Sequence, residues 1–157
     1  MTPYRAPGWL PGGQAHTLWP LTIKAPPLPP RRERWDTPDG DLFDLDHLDA
    51  PAGAPLLVLF HGLEGSARSH YAISTAHACK RQGWRLAIPH FRGCSGELNR
   101  RPRAYHSGDS DEIDWILRRL QQANVGQRLH AAGISLGGNA LLKWAGEQAE
   151  AAADVVT

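Results

Sequence analysis

The sequence is poor in cysteine and has almost no excess of either charge. Its 157 residues include two cysteines, Cys79 and Cys94, and neither belongs to a CxxC or CxxH pair. This excludes a disulfide framework and argues against a zinc site, so the reducing cytoplasm is the expected compartment. Lys and Arg number 17 against 16 Asp and Glu. Net charge therefore gives no reason to expect a nucleic-acid partner.

Targeting, metal-binding and nucleotide-binding patterns are also missing. No run of about 18 apolar residues occurs, and residues 1–13 lack the charged and apolar regions of a signal peptide, so no transmembrane segment or leader is expected. The eight histidines form no HExxH or paired-ligand pattern, and neither a Gly-Lys-Ser/Thr ending nor a GxGxxG motif is present. We therefore expect no metal and no cofactor.

Proline is concentrated near the N terminus, where it predicts an irregular arm over residues 1–30. Trp9 and Trp19 are expected to dock this arm on the folded body. The prolines between 26 and 30 predict an extended connection, because their fixed φ angles exclude a helix interior. Residues 31–157 then form the folded domain.

The rest of the chain alternates strand and helix signals, which predicts an α/β fold containing a parallel sheet. A hairpin around Pro38-Asp39-Gly40 comes first. Strands are then predicted at 56–60, 85–88, 129–134 and 154–157, and helices at 69–82, from 109 onward, and at 136–150. In the second helix the apolar residues recur at i, i+3, i+4 and i+7 from Ile113, and Asp109 with Glu112 predicts a capping box.

The most informative segment is Gly133-Ile134-Ser135-Leu136-Gly137, which connects a predicted strand to a predicted helix. A GxSxG motif in this setting predicts a nucleophile elbow, with Ser135 as the catalytic nucleophile in a strained backbone conformation. Gly133 and Gly137 are expected because side chains there would clash in so tight a turn. Leu136 N–H, at the helix N terminus, is expected to stabilise an oxyanion.

A second oxyanion donor is expected from the loop after the strand at 56–60, which reads His61-Gly62-Leu63-Glu64-Gly65. Gly62 lets the backbone turn toward a substrate carbonyl, and we assign the second N–H to Leu63. His61 is expected to orient the loop, because the triad order in such hydrolases is Ser, then Asp or Glu, then His. The alternative interpretation of GxSxG is a non-catalytic turn of small residues.

The remaining polar candidates are weaker. Residues 105–109, with Tyr105 and His106, predict a cap and loop hydrogen-bond cluster, with a direct catalytic role as the alternative. Cys94 has no paired base and is expected to serve in packing. Four arginines are expected to form a solvated rim, with substrate contact as the alternative: Arg92, Arg100, Arg101 and Arg103.

Taken together, several motifs resemble the YheT-type branch of the α/β-hydrolase family. The resemblance extends from Tyr4 to Thr157. Its motifs are His61–Ser66, His90–Arg100, Tyr105–Gly108 and Ser135–Asn139, joined by Trp9–Gly13 and Pro38–Asp41. It implies an α/β-hydrolase fold and hydrolysis of carboxylic esters, with relatives acting as esterases or as lipases on acylglycerols and phospholipids. The implied partner is a small ester or lipid substrate, and the oligomeric state is left open.

The resemblance also implies where the rest of the catalytic triad lies. In this branch the acidic residue and the catalytic histidine belong to the C-terminal half, so we expect residues 31–157 to be the N-terminal half of the domain, incomplete after the helix that follows Ser135. Such a fragment is expected to be nearly inactive alone. A catalytically inactive remnant or binding module of the same fold is the alternative, followed by an acyltransferase. The family's pattern differs around His16, so no role is carried over to it.

Overall fold

The computed structural model describes residues 5–22 and 26–157. The strands are β1 (Arg31–Asp36), β2 (Leu42–Leu48), β3 (Leu56–Phe60), β4 (Arg85–Pro89) and β5 (Leu129–Gly133). The helices are α1 (Gly13–Thr22), α2 (His70–Gln82), α3 (Ser110–Ala123) and α4 (Leu136–Gln148), and a 3-10 helix, Ala149–Asp154, follows α4. The start of the family resemblance at Tyr4 lies outside the described residues.

The strands form one mixed sheet in the order β1-β2-β4-β3-β5. The β1–β2 hairpin pairs antiparallel to β4, whereas β3 pairs parallel to β4 and to β5. This confirms the predicted α/β fold. Phe60 pairs with Gly133, so the carboxyl ends of β3 and β5 lie side by side. The loops that follow these two strands must therefore meet at one edge of the sheet.

Two apolar clusters cover the two faces of this sheet. On one face the buried stripe of α3 and Trp144 of α4 pack on Val58 and Phe60. On the other face Ala72 and Cys79 of α2 pack on Leu59 and its neighbours. Burial of each large apolar side chain contributes about 1.5–3 kcal/mol, which explains why β3 is apolar on both sides. The helix predicted from residue 109 onward is confirmed, and its apolar repeat from Ile113 is the face that packs on the sheet.

The N-terminal arm differs from the prediction because residues 13–22 form a helix. Residues 14–19 contain neither Pro nor Gly, so nothing prevents helical hydrogen bonding there. Trp9 and Trp19 pack edge to face at 5.0 Å between ring centroids and stay 64% and 43% exposed. The predicted docking through these indoles is therefore wrong. The arm contacts the body farther on, where His77 Nε2 donates to Pro26 O at 2.9 Å.

Two local predictions around the helices are also wrong. Asp109 precedes α3 but makes no side-chain cap hydrogen bond, because its carboxylate binds Arg103 and accepts His106 N–H at 3.1 Å. Both carboxylate oxygens thus bond to the loop before α3 rather than to the first turn of the helix. The strand predicted at 154–157 does not form, because the 3-10 helix extends to Asp154 and the N–H groups of Val155 and Val156 both donate back to Ala152 O. Thr157 N–H donates to Leu129 O at 2.8 Å, and Val155 is buried in the same core cluster as Leu129.

Candidate active site

The candidate site forms where the loops after β3 and β5 meet. A Cβ built on Gly62 would lie 3.3 Å from Ser135 Cβ and 3.4 Å from Ile134 O. The two segments that sequence reasoning singled out separately are therefore in van der Waals contact. They lie at the carboxyl ends of parallel strands, the edge where open α/β sheets bind their ligands.

Ser135 has an unusual backbone conformation. Its φ is 52° and its ψ is −115°, although it is not a glycine. Such a conformation costs on the order of 1–3 kcal/mol and is held only when the surroundings enforce it. The side chain makes no cap hydrogen bond to α4, and the residue is exposed. The hydroxyl is thus accessible and is not used to cap the helix that it precedes.

Two flanking glycines allow this turn to approach its neighbours closely. A Cβ at Gly133 would lie 2.6 Å from Gly137 O and 2.6 Å from Gly138 N. A Cβ at Gly137 would lie 2.6 Å from Phe60 O and closer still to His61 O. All of these contacts are with backbone atoms, which cannot rotate away as a side chain would. The close approach of α4 to the end of β5 therefore requires glycine at position 133, and its close approach to the end of β3 requires glycine at position 137.

His61 is fully buried and its two ring nitrogens are both engaged. Phe91 N–H donates to His61 Nε2 at 3.0 Å, so the proton of the neutral ring is on Nδ1, which donates to Gly62 O at 2.8 Å. Burial lowers the pKa of His61 to about 4, so the ring is neutral at pH 7. The ring ties the loop after β3 to the loop after β4, and neither nitrogen is available to take a proton from Ser135.

The turn at residues 62–65 is held by backbone and tyrosine contacts. Gly65 N–H donates to Gly62 O at 2.9 Å and closes the turn. Gly62 N–H donates to the Tyr71 hydroxyl at 2.9 Å, and Glu64 N–H donates to the Tyr105 hydroxyl at 2.8 Å. The N–H groups on both sides of Leu63 are thus bonded.

Leu63 and Leu136 are the residues predicted to supply oxyanion donors. Leu63 is 68% exposed at the tip of the turn, and Leu136 is the first residue of α4. Within the described ranges, neither Leu63 N–H nor Leu136 N–H has a protein acceptor at hydrogen-bonding distance. Both N–H groups are available to a ligand at this edge of the sheet.

The loop at 105–109 packs against the same turn. The Tyr105 ring stacks on Phe91 at 5.2 Å between centroids, and its hydroxyl donates to Glu64 Oε1 at 3.0 Å. Asn139 Nδ2, one turn into α4, donates to Ser107 O at 2.9 Å. His106 Nδ1 accepts from Gly108 N–H at 3.0 Å. These contacts match the predicted loop hydrogen-bond cluster and connect it to α4.

The predicted solvated arginine rim is wrong for Arg92, which is buried. Its guanidinium donates to Asp41 Oδ2 at 2.9 Å and to Glu112 Oε1 at 2.8 Å, and both acceptors are buried. A buried charge needs such partners because desolvation is costly. Arg101 remains exposed and, with Cys94, lines a cavity of about 430 Å³ beside Glu64 and Tyr105. Burial also raises the pKa of the Cys94 thiol.

Two further structural features bear on the chemistry of the chain. Over residues 5–22 and 26–157, no group of three or more His, Cys, Asp or Glu side chains is arranged to hold a metal ion. In the same ranges, every helix is too short or too polar to cross a membrane.

Comparison with known proteins places this geometry in a family. Residues 55–157 match the family model described as the alpha/beta hydrolase fold. The chain is 48% identical over 115 residues to YheT of Escherichia coli, a protein named as an esterase, covering 71% of this chain and 34% of that protein. It is 29% identical over 147 residues to phospholipase ABHD3 of Mus musculus, covering 88% and 36% of the two chains. The chain thus spans about a third of the length of these relatives.

Solved structures agree on the fold. The serine hydrolase XC6422 of Xanthomonas campestris superposes with a TM-score of 0.61 at 20% identity, covering 80% of this chain and 59% of that one. Est1E of Butyrivibrio proteoclasticus gives a TM-score of 0.61 at 15% identity, covering 80% and 47%. The family match, the sheet topology and the similarity to YheT agree with one another. The chain therefore belongs to the alpha/beta hydrolase family, as a YheT-type member.

Proposed function

We propose that this chain supplies the nucleophile and the oxyanion-binding backbone of a serine hydrolase that cleaves carboxylic esters. The observation that carries the proposal is the strained Ser135, packed against the Gly62 loop at the carboxyl edge of the sheet. The names of the relatives, an esterase and a phospholipase, support a small ester or lipid as the substrate class. The free thiols of both cysteines are compatible with the proposed cytoplasmic location.

In the proposed reaction Ser135 Oγ attacks the ester carbonyl carbon as its proton passes to a base. The carbonyl electron pair moves to oxygen, and Leu63 N–H and Leu136 N–H stabilise the resulting oxyanion. Collapse of this intermediate expels the alcohol, which takes up the proton, and leaves an acyl group on Ser135. Water attacks the acyl-enzyme by the same route and releases the carboxylic acid.

The base in this scheme is a histidine other than His61. The pKa of about 4 and the two engaged nitrogens of His61 make it unsuitable, and they fit a structural role in the loop. Because the relatives are about three times as long as the matched segment, we assign the histidine and its acidic partner to the part of the family's fold beyond that segment. Triad members act as a unit, so catalysis needs all of them.

The proposal is tested by ester hydrolysis in the product of the complete open reading frame. Initial rates on p-nitrophenyl esters of short and long acyl chains are measured for the wild type and for Ser135→Ala. Removal of the nucleophile is expected to lower kcat by about 10⁴-fold or more, toward the uncatalysed rate. Ser74→Ala is the matched control, because among residues 5–22 and 26–157 that hydroxyl bonds only to His70 O, within α2.

Three outcomes distinguish the possibilities. Wild-type activity that survives in Ser74→Ala and disappears in folded Ser135→Ala supports the proposal. Activity that persists in Ser135→Ala means that another residue is the nucleophile. A folded wild type that hydrolyses none of the esters would favour the inactive remnant or binding module and contradict the proposal.

A further inference from the structure

We infer that Tyr71 and Tyr105 are positioning residues for the oxyanion donor at Leu63. Their hydroxyls accept the N–H groups of Gly62 and Glu64, which flank Leu63 in the chain. The turn therefore presents Leu63 N–H alone to a substrate. This inference rests on the proposed function. It adds two supporting residues to the site, which so far comprises the nucleophile Ser135 and the backbone donors of Leu63 and Leu136.

Tyr71 holds the turn from the side of α2. It is the second residue of that helix, and its hydroxyl lies 2.9 Å from Gly62 N. A Cβ on Gly62 would be 3.7 Å from this oxygen, and one on Gly65 would clash with it. The hydroxyl thus occupies the concave side of the turn, where only glycine leaves room for it. This contact fixes the start of the turn relative to Ser135.

Tyr105 holds the turn at Glu64. Its hydroxyl oxygen accepts Glu64 N–H at 2.8 Å, and its proton is donated to Glu64 Oε1 at 3.0 Å. Its ring is stacked on Phe91, with ring planes only 6° apart, and Phe91 N–H bonds to His61. Desolvation raises the pKa of Tyr105, so the hydroxyl stays protonated and keeps donating over the working pH range.

The two contacts matter because Glu64 has a φ of 53°, a conformation that the turn alone does not favour for a non-glycine residue. The bond from Glu64 N–H to Tyr105 stabilises this conformation and therefore the direction of the preceding peptide plane, which carries the N–H of Glu64. The plane before it carries Leu63 N–H and Gly62 O, and this oxygen accepts from Gly65 N–H at 2.9 Å and from His61 Nδ1 at 2.8 Å. Tyr71 and Tyr105 hold the peptide planes on either side of it, through Gly62 N–H and Glu64 N–H. A donor fixed in advance stabilises an oxyanion better than one that must reorient during the reaction.

The size of the effect follows from known oxyanion holes. Complete loss of one donor lowers kcat by about 10²–10³-fold. Removing a hydroxyl that only orients the donor leaves the N–H present, so we expect Tyr71→Phe and Tyr105→Phe each to lower kcat by about 10-fold. Ground-state binding does not use this donor strongly, so KM is expected to stay close to the wild-type value.

The test compares Tyr71→Phe, Tyr105→Phe and Ser74→Ala in the product of the complete open reading frame. Phenylalanine keeps each ring and removes only the hydroxyl, and Ser74→Ala removes a hydroxyl of α2 that does not contact the turn. Active sites are titrated with a fluorophosphonate so that kcat refers to competent molecules. The measured quantities are kcat, KM and the inhibition constant of a trifluoromethyl ketone, which forms a tetrahedral adduct on serine.

Positioning predicts that kcat and affinity for the ketone fall by the same factor in both tyrosine variants, with KM and the Ser74→Ala control unchanged. A merely structural role would lower the melting temperature and the titrated fraction but leave kcat per titrated site unchanged. That result, or a rise in KM alone, would overturn the inference. If Ser135→Ala kept its activity, the proposed function itself would fail, which is a separate outcome.

Discussion

Alanine substitutions at two glycines of α4 are expected to have opposite effects on stability. Gly146 is exposed, and a Cβ there would meet nothing within 4 Å. Gly137 lies at the start of the same helix, where a Cβ would lie 2.6 Å from Phe60 O. The intrinsic helix preference of alanine over glycine, about 1 kcal/mol, applies to both sites. The difference between the two variants therefore reports the steric contact.

The expected loss of unfolding free energy in Gly137→Ala follows from this contact. Overpacking a filled site costs about 1–3 kcal/mol, and the upper part of that range applies because the opposing atoms are backbone of β3 and the loop after it. Subtracting about 1 kcal/mol of helix preference leaves a net loss of about 2 kcal/mol for Gly137→Ala. Gly146→Ala is expected to gain about 0.5–1 kcal/mol, so the two variants differ by about 3 kcal/mol.

Equilibrium urea unfolding followed by circular dichroism measures both free energies, and ester hydrolysis of the folded variants gives a second readout. Movement of α4 away from β3 carries Ser135 away from the Gly62 loop, so Gly137→Ala is expected to lose activity even where it is fully folded. Equal stability of the two variants, or a stabilised Gly137→Ala, would show that the close approach of α4 to β3 does not require glycine at position 137.

The other predictions concern buried charge and pH. Arg92→Ala leaves the carboxylates of Asp41 and Glu112 buried without their cation, which is expected to cost about 3–5 kcal/mol in urea unfolding. Arg101→Ala, on the exposed part of the same loop, is the control, with an expected change of less than about 0.5 kcal/mol, and similar losses in both variants would refute the burial argument. The pKa of His61 is lowered to about 4 in the folded state, so the unfolded chain binds the proton first as the pH falls. The contribution of neutral His61 to the free energy of unfolding is therefore complete above about pH 6.5 and is lost as the pH drops toward 4. The slope is about 1.4 kcal/mol per pH unit, and His61→Gln should lack this component, so parallel pH profiles of wild type and variant would contradict the assignment.

The parts of the fold that depend on local patterns could be predicted from sequence. The apolar run at 56–60 must be buried on both faces, and the apolar spacing from Ile113 fits only a helix with one buried face. Gly133 and Gly137 around Ser135 are informative because their spacing fits a tight strand-to-helix turn. Each of these features can be predicted without knowing which distant residues it contacts. This explains why their predicted positions agree with the structure to within one or two residues.

The features that sequence reasoning missed depend on residues far apart in the chain. Arg92 pairs with Asp41, 51 residues earlier, and with Glu112, 20 residues later, and no periodicity marks such a set. Tyr71 was not singled out at all, since a tyrosine near a helix start carries no signal that it contacts Gly62. The helix at 13–22 was missed because the surrounding prolines dominated the composition of the arm.

The central claim, that Ser135 is an activated nucleophile, is tested most directly by mapping a fluorophosphonate adduct. Trypsin cleavage after Arg128 and Lys143 releases residues 129–143, in which Ser135 is the only side chain with a hydroxyl group. The account predicts that the product of the complete open reading frame carries the adduct mass on this peptide and that Ser135→Ala does not. An adduct on another peptide, or no adduct in a protein that is folded by circular dichroism, would contradict it.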